Sequence, residues 1–192
     1  MSYTLVRIKM LEPEKQQFLI DHLAASANDF EAAISNADPA RWSTRTAPDR
    51  WSIAEIAEHI LILDTRVATL ASTIQEWPEE PYDAEHSARK DQLILTIAEN
   101  RETRVSAPPT VLPTGSLASA TEFYPGFHKS QETLTRTVRE NPQLLRGRFR
   151  EHPLLKKLDG YQWLLVCSCH RRRHLSQIQE VARDLEAQPF PA

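Results

Sequence analysis

Glycine is nearly missing from this sequence, with four residues in 192, none of them grouped. No GxGxxG and no GxxxxGK[ST] can be found, which excludes the glycine-rich cradles that hold nucleotide phosphates. Cysteine is scarcer still. Cys167 and Cys169 are two apart, and on a helix such side chains point in different directions, which disfavours a disulfide. A reduced, cytoplasmic setting is therefore expected. No apolar run approaches the roughly 20 residues that a membrane span needs. The opening "MSYTLVRIKMLEPEKQQ" has no basic segment leading into a long apolar one, so no secretory signal is expected. A basic excess is lacking too. With 23 Lys and Arg against 26 Asp and Glu, the formal charge is -3, and no nucleic-acid partner is expected. Arg146, Arg148, Arg150 and the run Arg171, Arg172, Arg173 read as solvated surface. Strand alternation is missing except for the weak "YTLVRIKML".

What is there is helical periodicity. A first helix is predicted from Pro13 to Asn36, with Phe18, Leu19, Leu23, Ala27, Phe30 and Ile34 as its apolar stripe and proline and acids in its first turn. A short helical turn is expected at 39–42. Ser52 with Glu55 three residues later forms a capping box that opens a second helix. Its inner stripe reads Ile53, Ile56, Ile60, Leu63, Val67, Leu70 and Ile74. "PEEPYDAEHS" reads as a loop, "ARKDQLILTIAENRET" as a shorter surface helix, and "VSAPPTVLPTGS" as an irregular crossover. A third long helix is predicted over 116–140, with a kink or late start at Pro125-Gly126. Residues 141–159 read as an irregular return. Asp159 then caps a last helix, 160–186, whose inner face carries Trp163, Cys167, His170, His174, Ile178, Val181 and Leu185. The expected architecture is all-α: one domain over 1–192, a four-helix bundle with a long crossover between the second and third long helices.

Two imidazoles on that apolar face are the chemical signal. His170 and His174 are i and i+4, one turn apart and close enough to share one metal ion. Two ligands seldom suffice. His59, at the inner edge of the second helix, is the best third. Three histidines plus water would leave an open position, the pattern of a catalytic site. The plain alternative is a set of hydrogen-bonded core histidines. Position 171 is Arg, so the general-base Glu of an HExxH site is missing. His22, His86, His128 and His152 have weaker claims, falling off the stripe, in loops or beside Lys129. Cys167 is one turn before His170 and could approach the metal, though a small buried hydrophobe is the simpler reading. Gln177, three after His174, is placed to hydrogen-bond a ligand or a water. Glu55 reads as the cap. Glu58 should point outward, and Arg173 should project away from the metal face toward a salt bridge. Trp51 and Trp163 read as core anchors.

"WSIAEIAEHILILD" (51–64) and "LDGYQWLLVCSCHRRRHLSQIQEV" (158–181) resemble the two signature segments of the DinB-like (damage-inducible) superfamily. "APDRW" before the first and "HP" at 152–153 before the second also fit. The departures are the Pro125-Gly126 interruption and a longer Pro-rich crossover. The resemblance implies a four-helix bundle in which His59, His170 and His174 bind a divalent metal ion: zinc, nickel, iron or manganese. It implies a small-molecule substrate, with a low-molecular-weight thiol such as bacillithiol or mycothiol as one form, and it suggests a homodimer. Two activities are open, a metal-dependent hydrolase and a thiol-dependent transferase. A non-catalytic metal-binding or stress-response bundle is the alternative.

Overall fold

A computed structural model describes residues 11–97 and 107–187. Within them run five α-helices: α1 (Pro13–Ser35), α2 (Ile53–Ser72), α3 (Ala84–Ile97), α4 (Ala120–Glu140) and α5 (Gly160–Glu186). A two-stranded antiparallel hairpin pairs β1 (Phe149–His152) with β2 (Lys156–Asp159). The four long helices form the bundle. Helix α1 packs on α5 and α4, α2 packs on α4 and α5, and α3 lies on the outside of α5. No helix among the described residues is long and apolar enough to cross a membrane. All of the segment "YTLVRIKML" but Leu11, and the end of the "ARKDQLILTIAENRET" helix, lie outside the described residues.

Local sequence sets the helix starts. Ser52 Oγ accepts from the Glu55 N–H and the Glu55 carboxylate accepts from the Ser52 N–H, so the capping box that opens α2 is complete. Asp159 and Gln162 do the same for α5. The stripes then meet in the core. Phe30 of α1 packs against Phe123 and Phe127 of α4, at ring separations of 5.9 and 6.0 Å. Both start signals lie a few residues before a histidine-bearing face, so they also set the phase of those histidines.

Several expectations need correction. Phe18 is 42% exposed, since α1 turns it out beside Leu19, which takes the core position. Helix α3 starts at Ala84, inside the segment read as a loop, because the Asp83 carboxylate accepts the His86 N–H. Helix α4 starts late, at Ala120, and carries Pro125 inside it. Gly126 has a packing reason: a Cβ there would lie 2.9 Å from Leu61 Cδ1, so α4 and α2 approach closely. The return expected to be irregular contains the hairpin. Its turn is held by His152, whose Nδ1 accepts the N–H groups of Leu154 and Leu155. Arg146 is not on a solvated surface. It is buried, 3.1 Å from Asp91 Oδ1 and 2.9 Å from Asp159 Oδ2, and lies 3.9 Å over the Tyr161 ring, tying α3 to the start of α5.

Candidate metal centre

The capping boxes and apolar stripes of α2 and α5 bring three imidazoles to one place. His59, His170 and His174 each offer a ring nitrogen within 4.8 Å of the others. Their ring centroids are 5.3 Å (His59–His170), 4.8 Å (His59–His174) and 4.5 Å (His170–His174) apart. His59 and His174 are buried at 3% and 8% exposure, while His170 is half-buried.

Hydrogen bonds decide which nitrogens face inward. His59 Nδ1 lies 2.7 Å from the Val111 carbonyl oxygen, which can only accept, so Nδ1 carries the proton and Nε2 keeps its lone pair. His174 Nδ1 donates to Gln177 Oε1 at 2.8 Å, with the same result. Gln177 thus makes the contact its spacing suggested. His174 Nε2 lies 3.2 Å from His170 Nε2. Either a proton on His170 bridges the two nitrogens or both lone pairs face one cation. Zinc–nitrogen bonds of about 2.0–2.1 Å in a tetrahedron require an edge of roughly 3.3 Å. The His170–His174 edge has that length, and the donor set is three imidazoles, so the residues fit a divalent ion of the zinc, nickel or iron type.

Electrostatics keep His170 and His59 in their ligating form. Burial, then the adjacent His174 and His59, push His170 well below the ordinary imidazole range. Burial also lowers His59, outweighing the Val111 hydrogen bond and Asp64, which raise it. Both are therefore neutral near pH 7. Trp51 walls the group. It is half-buried and packed against the core, with its ring 4.9 Å from His59 and 6.3 Å from His174.

Beneath the histidines lies a polar network that the sequence reading missed. Arg171 is fully buried, contrary to its expected place on a solvated surface. Its Nε donates to Asp64 Oδ2 at 2.9 Å, and Nη1 donates to Ser26 Oγ at 2.9 Å and the Leu23 carbonyl at 3.2 Å. Gln131 of α4 adds a hydrogen bond to Asp64 at 2.9 Å. All four bundle helices meet here, and Arg171 directly follows His170. Cys167 belongs to this network. Its thiol donates to Asp64 Oδ1 at 3.1 Å, and burial, then Asp64, push it well above the ordinary thiol range, so it is an inert proton donor. One signal was available: Asp64 interrupts the apolar face of α2 one turn beyond Ile60.

Glu58 is also corrected. It is 4% exposed, and its carboxylate accepts from Thr114, Gly115 and Ser116 of the crossover. Burial alone would raise this carboxyl, but those hydrogen bonds outweigh it and hold it at about 2. The other histidines stand apart from the three. His22 pairs with Ser168, His128 with Glu31 on the surface, and the His152 ring lies 4.9 Å from that of Trp163.

Residues 22–178 match the family profile of the DinB superfamily. The chain is 23% identical over 143 residues to the uncharacterised protein YuaE of Bacillus subtilis (strain 168), covering 74% of this chain and 83% of that protein. Among solved structures it is similar to YfiT from Bacillus subtilis, described as a probable metal-dependent hydrolase with an unusual four-helix bundle topology. The TM-score is 0.55 at 14% identity, over 93% of this chain and 91% of that one, a likeness of fold.

Proposed function

The chain belongs to the DinB superfamily, and from that premise we propose that it is a metal-dependent hydrolase acting on a small molecule, with one divalent ion held by His59, His170 and His174. The observation that carries this reading is the convergence of three imidazoles, two of them with Nδ1 fixed by a hydrogen bond and Nε2 turned inward. The description of YfiT as a probable metal-dependent hydrolase supports the choice of reaction.

A bound ion would supply Lewis acidity, activating water or a thiol as a nucleophile near neutral pH. The chain's own residues do the rest. Val111 and Gln177 hold two ligand rings in place. Trp51 excludes water from the His59–His174 side, and half-buried His170 leaves the approach for a substrate on its own side. The Asp64–Arg171 pair sets the rotation of α5 against α2, and with it the distance from His59 to the other two rings.

The test is a panel of chromogenic esters and amides offered to the protein loaded with zinc, nickel, iron or manganese, with and without added thiol. Hydrolysis that needs metal and disappears in His170→Ala, with helicity retained, is the expected result. Turnover only with a thiol cosubstrate would replace hydrolysis by thiol transfer. No activity above His170→Ala with any metal would leave a non-catalytic metal-binding bundle.

A further inference from the structure

Two neighbouring residues of α2 grip the same crossover. His59 Nδ1 donates to the Val111 carbonyl at 2.7 Å. Three residues further along the crossover, the Glu58 carboxylate collects five donors. Oε1 accepts from the Thr114 N–H (3.0 Å), the Thr114 hydroxyl (2.6 Å) and the Ser116 hydroxyl (2.8 Å). Oε2 accepts from the N–H groups of Gly115 (2.8 Å) and Ser116 (3.2 Å). Gly115, at φ +79, turns the chain so that successive N–H groups aim at one anion, a conformation that side-chain-bearing residues rarely adopt. The hydroxyl–glycine–hydroxyl triplet lies exposed on the surface, while the carboxylate beneath it is buried.

From this geometry we infer that Glu58 is a positioning residue for the metal centre: it pins Thr114–Ser116 to α2 so that the Val111 carbonyl stays on His59 Nδ1 and Nε2 stays free for the ion. The inference rests on the metal-site reading above, but its direct readout does not need metal. Three of the five donors are backbone N–H groups, which cannot accept, and they reach both oxygens, which suits an ionised carboxylate. A glutamine at 58 would aim its NH2 group at a backbone N–H on either side: Gly115 and Ser116 from one orientation, Thr114 from the other. The crossover would lift, the Val111 bond would loosen, and His59 would begin to carry its proton on Nε2, where it blocks ligation. Outer hydrogen bonds of this kind are worth roughly 10–100-fold in metal affinity.

The experiment compares 15N-labelled, metal-free wild type with Glu58→Gln, reading the His59 tautomer by long-range 15N–1H correlation at mildly alkaline pH. A zinc titration of each protein runs in parallel, with helicity checked by circular dichroism. The expected result is a single Nδ1–H tautomer in wild type. Glu58→Gln should show an Nε2–H population and a zinc Kd raised by about 10–100-fold, at unchanged helicity. A mixed tautomer in wild type overturns the inference, as does Glu58→Gln with wild-type tautomer and a zinc Kd within about twofold of wild type. Should Glu58→Gln fail to fold, Thr114→Val/Ser116→Ala removes two of the five donors and keeps the carboxylate. A smaller shift in the same direction supports the inference, and no shift overturns it. A wild type that binds no zinc, while Glu58 still governs the tautomer, refutes the metal reading and leaves the positioning role standing.

Discussion

Replacing Arg171 with Met should be the most damaging single change near the site that removes no ligand. The side chain is fully buried and bonded to Asp64, Ser26, Leu23 and Cys167. Burial opposes its charge, but Asp64 and Cys167 outweigh burial and keep the guanidinium protonated. Methionine fills much of the volume but strands the Asp64 carboxylate, 1% exposed, with only Gln131 and Cys167 as donors. Breaking one half of a buried ion pair costs about 3–5 kcal/mol. Against a total stability of about 5–15 kcal/mol that is a large fraction. For a chain of this size it corresponds to a drop in Tm of roughly 6–20 °C. The assay is urea denaturation of wild type, Arg171→Met, Asp64→Leu and the double variant, followed by circular dichroism. Removing both charges together removes the stranded group, so the double variant should recover at least about 2 kcal/mol relative to the sum of the singles. An Arg171→Met cost below about 1 kcal/mol, or strict additivity across the cycle, would refute the reasoning.

Three further outcomes follow from other parts of the structure. Gln177→Ala frees the His174 ring to rotate, and zinc calorimetry should show affinity reduced by about 10–100-fold with little change in Tm. Ser52→Ala breaks the capping box of α2 and should cost about 0.5–2 kcal/mol in urea denaturation, more than Ser72→Ala at the exposed far end of the same helix. His22 is half-buried, and burial, then Arg172 and Arg171, lower it to about 4 from the usual 6.5. The unfolded chain therefore takes up this proton below about pH 6.5, and the folded chain not until about pH 4, so stability falls as pH drops through that window. The loss due to His22 is on the order of 2 kcal/mol after allowing for partial exposure, and His22→Gln should reduce the fall in stability between those pH values by that amount, leaving the part due to His59, His152 and His170.

The bundle was legible because its signals are local and repeated. Apolar residues at steps of three and four, with Ser52–Glu55 and Asp159–Gln162 as start marks, define α2 and α5 closely enough to place His59, His170 and His174 on facing surfaces. Helical spacing alone gives a side chain's direction only relative to its own helix. Arg171 was misread because its direction becomes inward once α1 and α2 flank α5 on that side, and its partner Asp64 lies 107 positions away. Glu58 was misread for a related reason: the crossover that buries its carboxylate lies 57 positions along the chain at Gly115. The hairpin escaped because four-residue strands carry no period, and its turn rests on His152 collecting two backbone N–H groups.

A zinc titration by calorimetry, run on wild type and on His59→Ala, His170→Ala and His174→Ala, tests the central claim most directly. One ion per wild-type chain, with affinity lost in each alanine variant while helicity is kept, is the predicted result. Binding that persists in all three variants, or no binding of zinc, nickel, iron or manganese by wild type, would contradict it.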